Sequence, residues 1–142
     1  MKHALYELIQ NNEDWLMGRI LDYAIQYDYA KYTSTLKEPW RLSIPGLSQS
    51  LLAALDDGRD LELDPDQDYT RDPAASFGIL EAQRHRERGI DIGMFIGLLK
   101  YYRQTYKDLV RQAGYEPDDV AWGENYIERF FDRIEIGLSI EW

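Results

Sequence analysis

Apolar residues recur every three or four positions between Ile92 and Gly114, and this period constrains the fold more than any other feature. The recurring residues are Ile92, Phe95, Ile96, Leu99, Tyr102, Tyr106, Leu109 and Val110. Their spacing places them on one face of an α-helix of about five turns, which ends at Gly114. Because such a face must be covered by other elements, the pattern predicts a helical bundle.

The segment before this helix predicts a second helix, from Asp72 to Gly89. Asp72 is suited to cap the helix N-terminus, and Pro73 suits the first helical position. Gly89 stands where a left-handed residue closes a helix. The tight turn at Gly89 predicts that the two helices form an antiparallel hairpin at the centre of the bundle.

The remaining sequence predicts shorter or less regular helices at His3–Gln10, from Asn12 to about Tyr29, and from Thr35 to Gly58. A last helix begins near Asp118 or after Gly123 and runs to the end of the chain. We therefore expect one all-α domain over residues 1–142, with about five to six helices. Its architecture is either globin-like or an elaborated four-helix bundle.

Pro45 interrupts the helical pattern that follows the capping-box residues Thr35 and Glu38. A proline inside a helix removes one backbone hydrogen bond and clashes with the preceding turn, so we expect a kink near Leu42–Gly46. The kink either is purely structural or opens a gap between helices for a ligand.

The composition excludes several classes of protein. The 142 residues contain no cysteine, which removes disulfides, thiolate catalysis and cysteine-based metal sites. The net charge of −10 opposes binding to nucleic acid and to anionic membranes. The N-terminus lacks the apolar core of a signal peptide, and no apolar run is long enough to cross a membrane. We expect a soluble, cytoplasmic protein.

The acidic loop Asp56–Asp72 contains three aspartates at alternate positions, Asp64, Asp66 and Asp68, as at the start of a calcium-binding EF-hand loop. The sixth position of that pattern is Tyr69 instead of glycine, and the twelfth is Ala75 instead of glutamate. We interpret the segment as a solvated loop.

Glu81 and His85 are the strongest candidates for a functional site, because their spacing puts them one turn apart on the same helix face. Arg84, Arg86 and Arg88 surround the pair. The interpretations are a buried polar network that holds the helices in register, a ligand or cofactor contact, or acid–base catalysis. No nucleophile elbow, phosphate-binding loop or metalloprotease motif is present. We expect no enzyme activity, no cofactor and no metal.

Aromatic residues give further candidates. Eleven tyrosines and four tryptophans either fill the walls of the bundle or line a ligand pocket. With Glu81, His85 and Arg88, the candidate ligand or regulatory residues are Trp40 and Tyr102. A basic stripe also follows the back of the long helix and is either a solvated face or a docking strip for an acidic partner; it consists of Lys100, Arg103, Lys107 and Arg111.

Two stretches carry a resemblance to known proteins: ILEAQRHRERGIDIGMFIGLLKYYRQTYKDL and the closing FFDRIEIGLSIEW. The first resembles the helical core of RsbR-type N-terminal domains, which are globin-like, bind no haem and serve as bacterial signal inputs. The whole chain is similar to helical domains that precede PAS, histidine-kinase or diguanylate-cyclase modules in bacterial sensors. The resemblance covers roughly residues 12–142 and carries over no ligand or catalytic residue.

The resemblance implies a non-enzymatic sensory domain, the N-terminal part of a longer signalling protein, whose last helix leads into a downstream module. It also favours a homodimer through that helix, where Ile127, Phe130, Ile134 and Gly137 trace a coiled-coil seam. Alternatively, the intramolecular core takes all these apolar positions. The competing functions are a haem- or metal-binding protein that uses His85 and a pure dimerisation or docking module.

Overall fold

The computed structural model describes residues 1–29 and 44–142, and within these ranges the chain forms six α-helices and no β-strand. A short 3₁₀ turn at Tyr69–Arg71 precedes the fourth helix. The prediction of an all-α bundle with five to six helices is confirmed. The helices are α1 at Lys2–Gln10, α2 at Glu13–Gln26, α3 at Ile44–Asp56, α4 at Pro73–Glu87, α5 at Ile92–Gln112 and α6 at Pro117–Glu141.

The predicted limits of α4 and α5 are confirmed. The carboxylate of Asp72 accepts a hydrogen bond from the backbone N–H of Ala75, with a nitrogen–oxygen distance of 2.9 Å, and Pro73 is the first helical residue. Gly89 and Gly114 have φ angles of 72° and 81°. Both glycines thus adopt the left-handed conformation that ends a helix and that other residues rarely adopt.

The second helix is shorter than its pattern predicts. It ends at Gln26 instead of near Tyr29, and Asp28 has a φ angle of 63°, which an α-helix cannot continue. Asn12 is the N-cap residue of α2 but makes no capping bond with its side chain. Its amide nitrogen instead donates to the carbonyl oxygen of Leu8, 2.7 Å away, and so binds the end of α1.

Pro45 is the second residue of α3 as the structure describes it. The capping-box residues Thr35 and Glu38, and most of the segment where a kink is predicted, lie outside the described residues.

The tightest packing joins α4 to α6, and not α4 to α5 as the predicted hairpin requires. A Cβ atom added at Gly78 would lie 2.1 Å from the carbonyl oxygen of Ile134, and one added at Gly137 would lie 2.0 Å from that of Ala75. Such distances are far shorter than any van der Waals contact, so only glycine permits this approach. The glycines therefore make the α4–α6 pair the centre of the fold.

The apolar residues of α6 are buried within the chain itself. Ile127, Phe130 and Phe131 are fully inaccessible, and Ile134, Gly137 and Leu138 are also buried. The predicted dimer seam is thus used by the intramolecular core, and a second copy cannot pack on it without unfolding the domain. A homodimer on another surface stays a prediction.

The basic stripe of α5 is neither a free solvated face nor an open docking strip, because acidic residues of α6 pair with it. In the ion pairs made by Lys100, Arg103 and Lys107, the nitrogen–oxygen distances are 2.6 to 3.0 Å. The pairs are Lys100–Glu135, Arg103–Glu128, Arg103–Asp132, Arg103–Glu135, Lys107–Glu128 and Arg111–Glu124. Opposite charges on the two faces thus help to set the register of α5 against α6.

Candidate functional site

Glu81 and His85 form a buried pair on the inner face of α4. Each residue is 4% exposed. The Nδ1 atom of His85 lies 2.7 Å from the backbone carbonyl oxygen of Glu81 and 3.6 Å from the carboxyl atom Oε2 of the same residue. Because a carbonyl oxygen can only accept, Nδ1 carries the hydrogen. The structure thus brings together the two residues that the sequence spacing singled out.

Few polar contacts offset the cost of burying the Glu81 carboxyl group. Loss of solvent raises its pKa to about 7, and the guanidinium of Arg84 acts in the opposite direction. Arg84 is itself half exposed, and its Nη1 lies 3.5 Å from Oε1 of Glu81. In the part of the chain that the structure describes, Oε2 of Glu81 has no hydrogen-bond donor. This carboxyl therefore gains and loses a proton near neutral pH.

Burial also sets the protonation of His85. It lowers the pKa of the imidazole; the hydrogen bond to the carbonyl of Glu81 opposes this shift, while the charges of Arg84 and Arg88 add to it. The ring centre lies 4.2 Å from that of Phe95 on α5. His85 is therefore neutral at pH 7.

The pair is connected to the C-terminal end of α6 through Phe95, and a surface contact joins the same two helices nearby. The ring of Phe95, which contacts His85, stacks on Trp142 with 5.7 Å between ring centres. On the surface, Arg86 donates to the backbone carbonyl oxygen and the carboxylate of Glu141, at 2.5 and 3.0 Å. A change of charge or packing at Glu81 and His85 thus has a short physical path to the last turn of α6.

The other candidate residues lie in different surroundings. Arg88 is exposed and is the C-cap residue of α4, where its backbone N–H bonds the last turn. Tyr102 is buried in the core on α5, two turns beyond Phe95. Trp40 lies outside the described residues.

The pair offers hydrogen bonding and proton exchange more than metal coordination. Within residues 1–29 and 44–142, no three histidine, cysteine, aspartate or glutamate side chains converge on a common point that could hold a metal ion. Glu81 and His85 alone are two ligands, and the imidazole nitrogen Nδ1 is already engaged by a carbonyl group. A metal needs more donors than this pair supplies.

Phe95 and Trp142 are the parts of this site that the sequence did not reveal. The helical period places Phe95 on the apolar face of α5 and predicts no contact for Trp142. Neither position carries a local signal for contact with His85, because the contacts join three separate helices. Only the packing of α4, α5 and α6 places the residues together.

Comparison with known protein families, curated proteins and solved structures finds no match to this chain. Among the described residues, no helix combines the length and the apolar character needed to cross a membrane.

Proposed function

We propose that this chain is a non-enzymatic signal-input domain of a bacterial signal-transduction protein, which passes a conformational change through α6. The observation that carries the proposal is the contact path from the buried Glu81–His85 pair to Trp142. The resemblance to helical domains of bacterial sensors supports the same role. On this proposal the domain acts in the cytoplasm, a downstream module of the same protein receives the signal, and a homodimer forms through exposed positions of α6.

The mechanism is a shift between two packings of the helices around Glu81. A neutral Glu81 is compatible with its dry surroundings, whereas the ionised form favours any arrangement that brings water or a cation to Oε2. A stimulus acts only through different affinities for the two packings, and a shift from 1:99 to 99:1 needs about 5.5 kcal/mol of discrimination.

Fluorine NMR of protein labelled with 5-fluorotryptophan tests whether α6 responds to Glu81. The signal of Trp142, assigned with Trp142→Phe, should move with pH and have a midpoint near 7, because that is where Glu81 changes charge. Trp122, at the other end of α6, should move much less.

The matched variants are Glu81→Gln, which keeps the site neutral, and Glu87→Gln, which removes an exposed carboxylate from the same helix. The pH dependence of the Trp142 signal should disappear in Glu81→Gln and persist in Glu87→Gln. A Trp142 signal that is constant from pH 5.5 to 8.5, or that titrates equally in Glu81→Gln, would contradict the proposal.

Visible absorption and elemental analysis of the purified protein test the competing function, a haem or metal carrier that uses His85. We expect neither a Soret band nor a stoichiometric metal, because no third ligand joins the buried pair among residues 1–29 and 44–142 and because arginines lie beside it. A Soret band that disappears in His85→Ala would replace the sensory proposal with haem binding.

A further inference from the structure

A concave site lies far along α6 from Trp142, between the start of the acidic loop and the first turns of this helix. The groove has a volume of about 230 Å³. Its lining residues come from the loop segment 59–62 and from α6 positions 122–129. The groove shares no residue with the Glu81–His85 pair and is independent of the proposed signalling role.

One wall of the groove is a partly exposed aromatic platform. Trp122 is 39% exposed, and its ring lies nearly parallel to that of Tyr126, with 5.2 Å between centres and an interplanar angle of 16°. Tyr126 is held beneath it, since its hydroxyl donates to the carbonyl oxygen of Arg59 at 3.3 Å. A tryptophan supported in this way offers its open face to a flat ring.

Arg59 supplies an unused hydrogen-bond donor beside this platform. Its Nη2 donates to the exposed carboxylate of Asp57 at 3.1 Å. Its Nη1 is shielded from solvent and has no acceptor among the described residues. An unmade bond of this kind is costly. The Arg59 side chain is 20% exposed, and a rotation of its guanidinium that brings Nη1 to the surface of the groove lets a ligand oxygen make the missing bond.

Glu62 supplies acceptors on the same side of the groove. Its two carboxylate oxygens accept from Asn125 Nδ2 and Arg129 Nε, each at 3.1 Å, and these hydrogen bonds lower the pKa of Glu62. The side chain is nevertheless 58% exposed, so its oxygens retain room for a further donor. Asp60 adds a second carboxylate to the lining.

The charges of the groove lining balance, because Arg59 and Arg129 stand against Asp60 and Glu62. Arg59 and Arg129 are each paired with an acid, Asp60 adds a further negative charge, and the whole chain has a net charge of −10. The groove therefore offers no excess positive charge to a phosphate or carboxylate group, and the negative charge of the whole chain disfavours such a group. The complementary ligand is flat and uncharged, with a carbonyl oxygen for Arg59 and N–H groups for the carboxylates.

We propose that this groove binds an uncharged purine-type base or nucleoside, stacked on Trp122, with its carbonyl edge toward Arg59 and its N–H edge toward Glu62. Guanine has this arrangement of groups, because its O6 and N7 accept from an arginine while N1–H and the amino group donate. The base thus uses the aromatic platform, the guanidinium of Arg59 once Nη1 turns toward the groove, and the carboxylates together.

Isothermal titration calorimetry with guanosine tests the proposal, and GMP and caffeine serve as comparison ligands. Guanosine should bind with saturation at a single site. GMP should bind more weakly at low salt because of its phosphate, and the difference should shrink as salt is added. Caffeine, which stacks but has no N–H donor, should bind at least about tenfold more weakly.

Three variants locate the binding. Trp122→Ala should weaken guanosine binding roughly tenfold or more through the loss of stacking, and Arg59→Met and Glu62→Gln should each weaken it several-fold. Leu63→Ala, an exposed change outside the groove, should have no effect. Circular dichroism of each variant checks that the fold is kept.

Absence of guanosine binding at millimolar concentration would overturn the proposal. Binding that is unaffected by Trp122→Ala, or that is equally weakened by Trp15→Phe near a different surface depression, would also overturn it. GMP binding tighter than guanosine binding would exclude an uncharged ligand.

Discussion

Arg133 of α6 and Asp72, the residue that caps α4, form an ion pair with 3.0 Å between Nη1 and Oδ1, and both side chains are almost fully buried. Arg133 also donates to the backbone carbonyl oxygens of Leu61 and Glu62, at 2.9 and 2.6 Å. One guanidinium thus joins α6, the start of α4 and the acidic loop. Since the loop residues 61 and 62 border the groove, this pair also fixes the shape of the proposed base site.

Removal of one partner of this pair should destabilise the protein strongly. Arg133→Met leaves Asp72 buried without its cation, and we expect a loss of roughly 3–5 kcal/mol in the free energy of unfolding. Arg71→Met is the matched control, because Arg71 pairs with Asp68 at 3.5 Å on the surface and should cost less than about 1 kcal/mol. Urea denaturation measures both. If Arg133→Met and Arg71→Met had equal free energies of unfolding, the buried pair would contribute nothing to stability beyond a surface pair.

The glycines of the α4–α6 contact should not tolerate a methyl group. Gly78→Ala and Gly137→Ala place a Cβ within about 2 Å of the facing backbone, so the helices must separate and the core loses its packing. Each should lower the melting temperature by several degrees or prevent folding. Gly18→Ala, at a helical position where a Cβ meets nothing within 4 Å, should stabilise by about 0.5–1 kcal/mol. If Gly78→Ala had the same melting temperature as Gly18→Ala, the close approach of the α4 and α6 backbones would be refuted.

The stability of the protein should depend on pH through Glu81. The carboxyl has a pKa of about 7 in the folded chain, against 4.5 without the fold. The folded state therefore holds the proton more tightly, and the contribution of Glu81 is fully present below pH 4.5 and is lost as the pH rises through 7. This shift in pKa corresponds to a change of roughly 3 kcal/mol in the free energy of unfolding.

Glu81→Gln isolates this effect from the other titrating groups. The stability of the variant relative to wild type should increase between pH 5 and pH 8, as measured by urea denaturation at several pH values. His85 acts in the opposite direction, because burial lowers its pKa and its contribution is lost as the pH falls below its ordinary value of 6.5. If the difference in the free energy of unfolding between Glu81→Gln and wild type were constant from pH 5 to pH 8, Glu81 would have an ordinary pKa.

Charges in the buried face of α6 should unfold the domain and not merely separate copies of it. Phe130 and Ile134 are 0% and 1% exposed, and Phe130→Glu or Ile134→Glu buries an unpaired carboxylate. Ile140→Glu, at a half-exposed position of the same helix, should leave the fold intact. Circular dichroism and light scattering distinguish the outcomes. A folded monomer from Phe130→Glu, alongside a dimeric wild type, would restore the seam to an intermolecular role.

The sequence alone determined the helices and their ends where the signal is local. Asp72, Pro73, Gly89 and Gly114 act within a few residues of themselves, through capping bonds or φ angles, and α4 and α5 lie where these residues predict. The spacing of Glu81 and His85 likewise follows from the pitch of one helix.

Only the tertiary structure decided which helices pack together. The sequence predicted an α4–α5 hairpin at the centre, but Gly78 and Gly137 lack side chains, and so allow α4 and α6 to approach until backbone meets backbone. The basic stripe of α5 meets its acids, and His85 meets Phe95 and Trp142, through contacts between helices distant in sequence. Helical period shows which face of each helix is apolar, whereas partners depend on shape and charge across separate helices, which no local pattern contains.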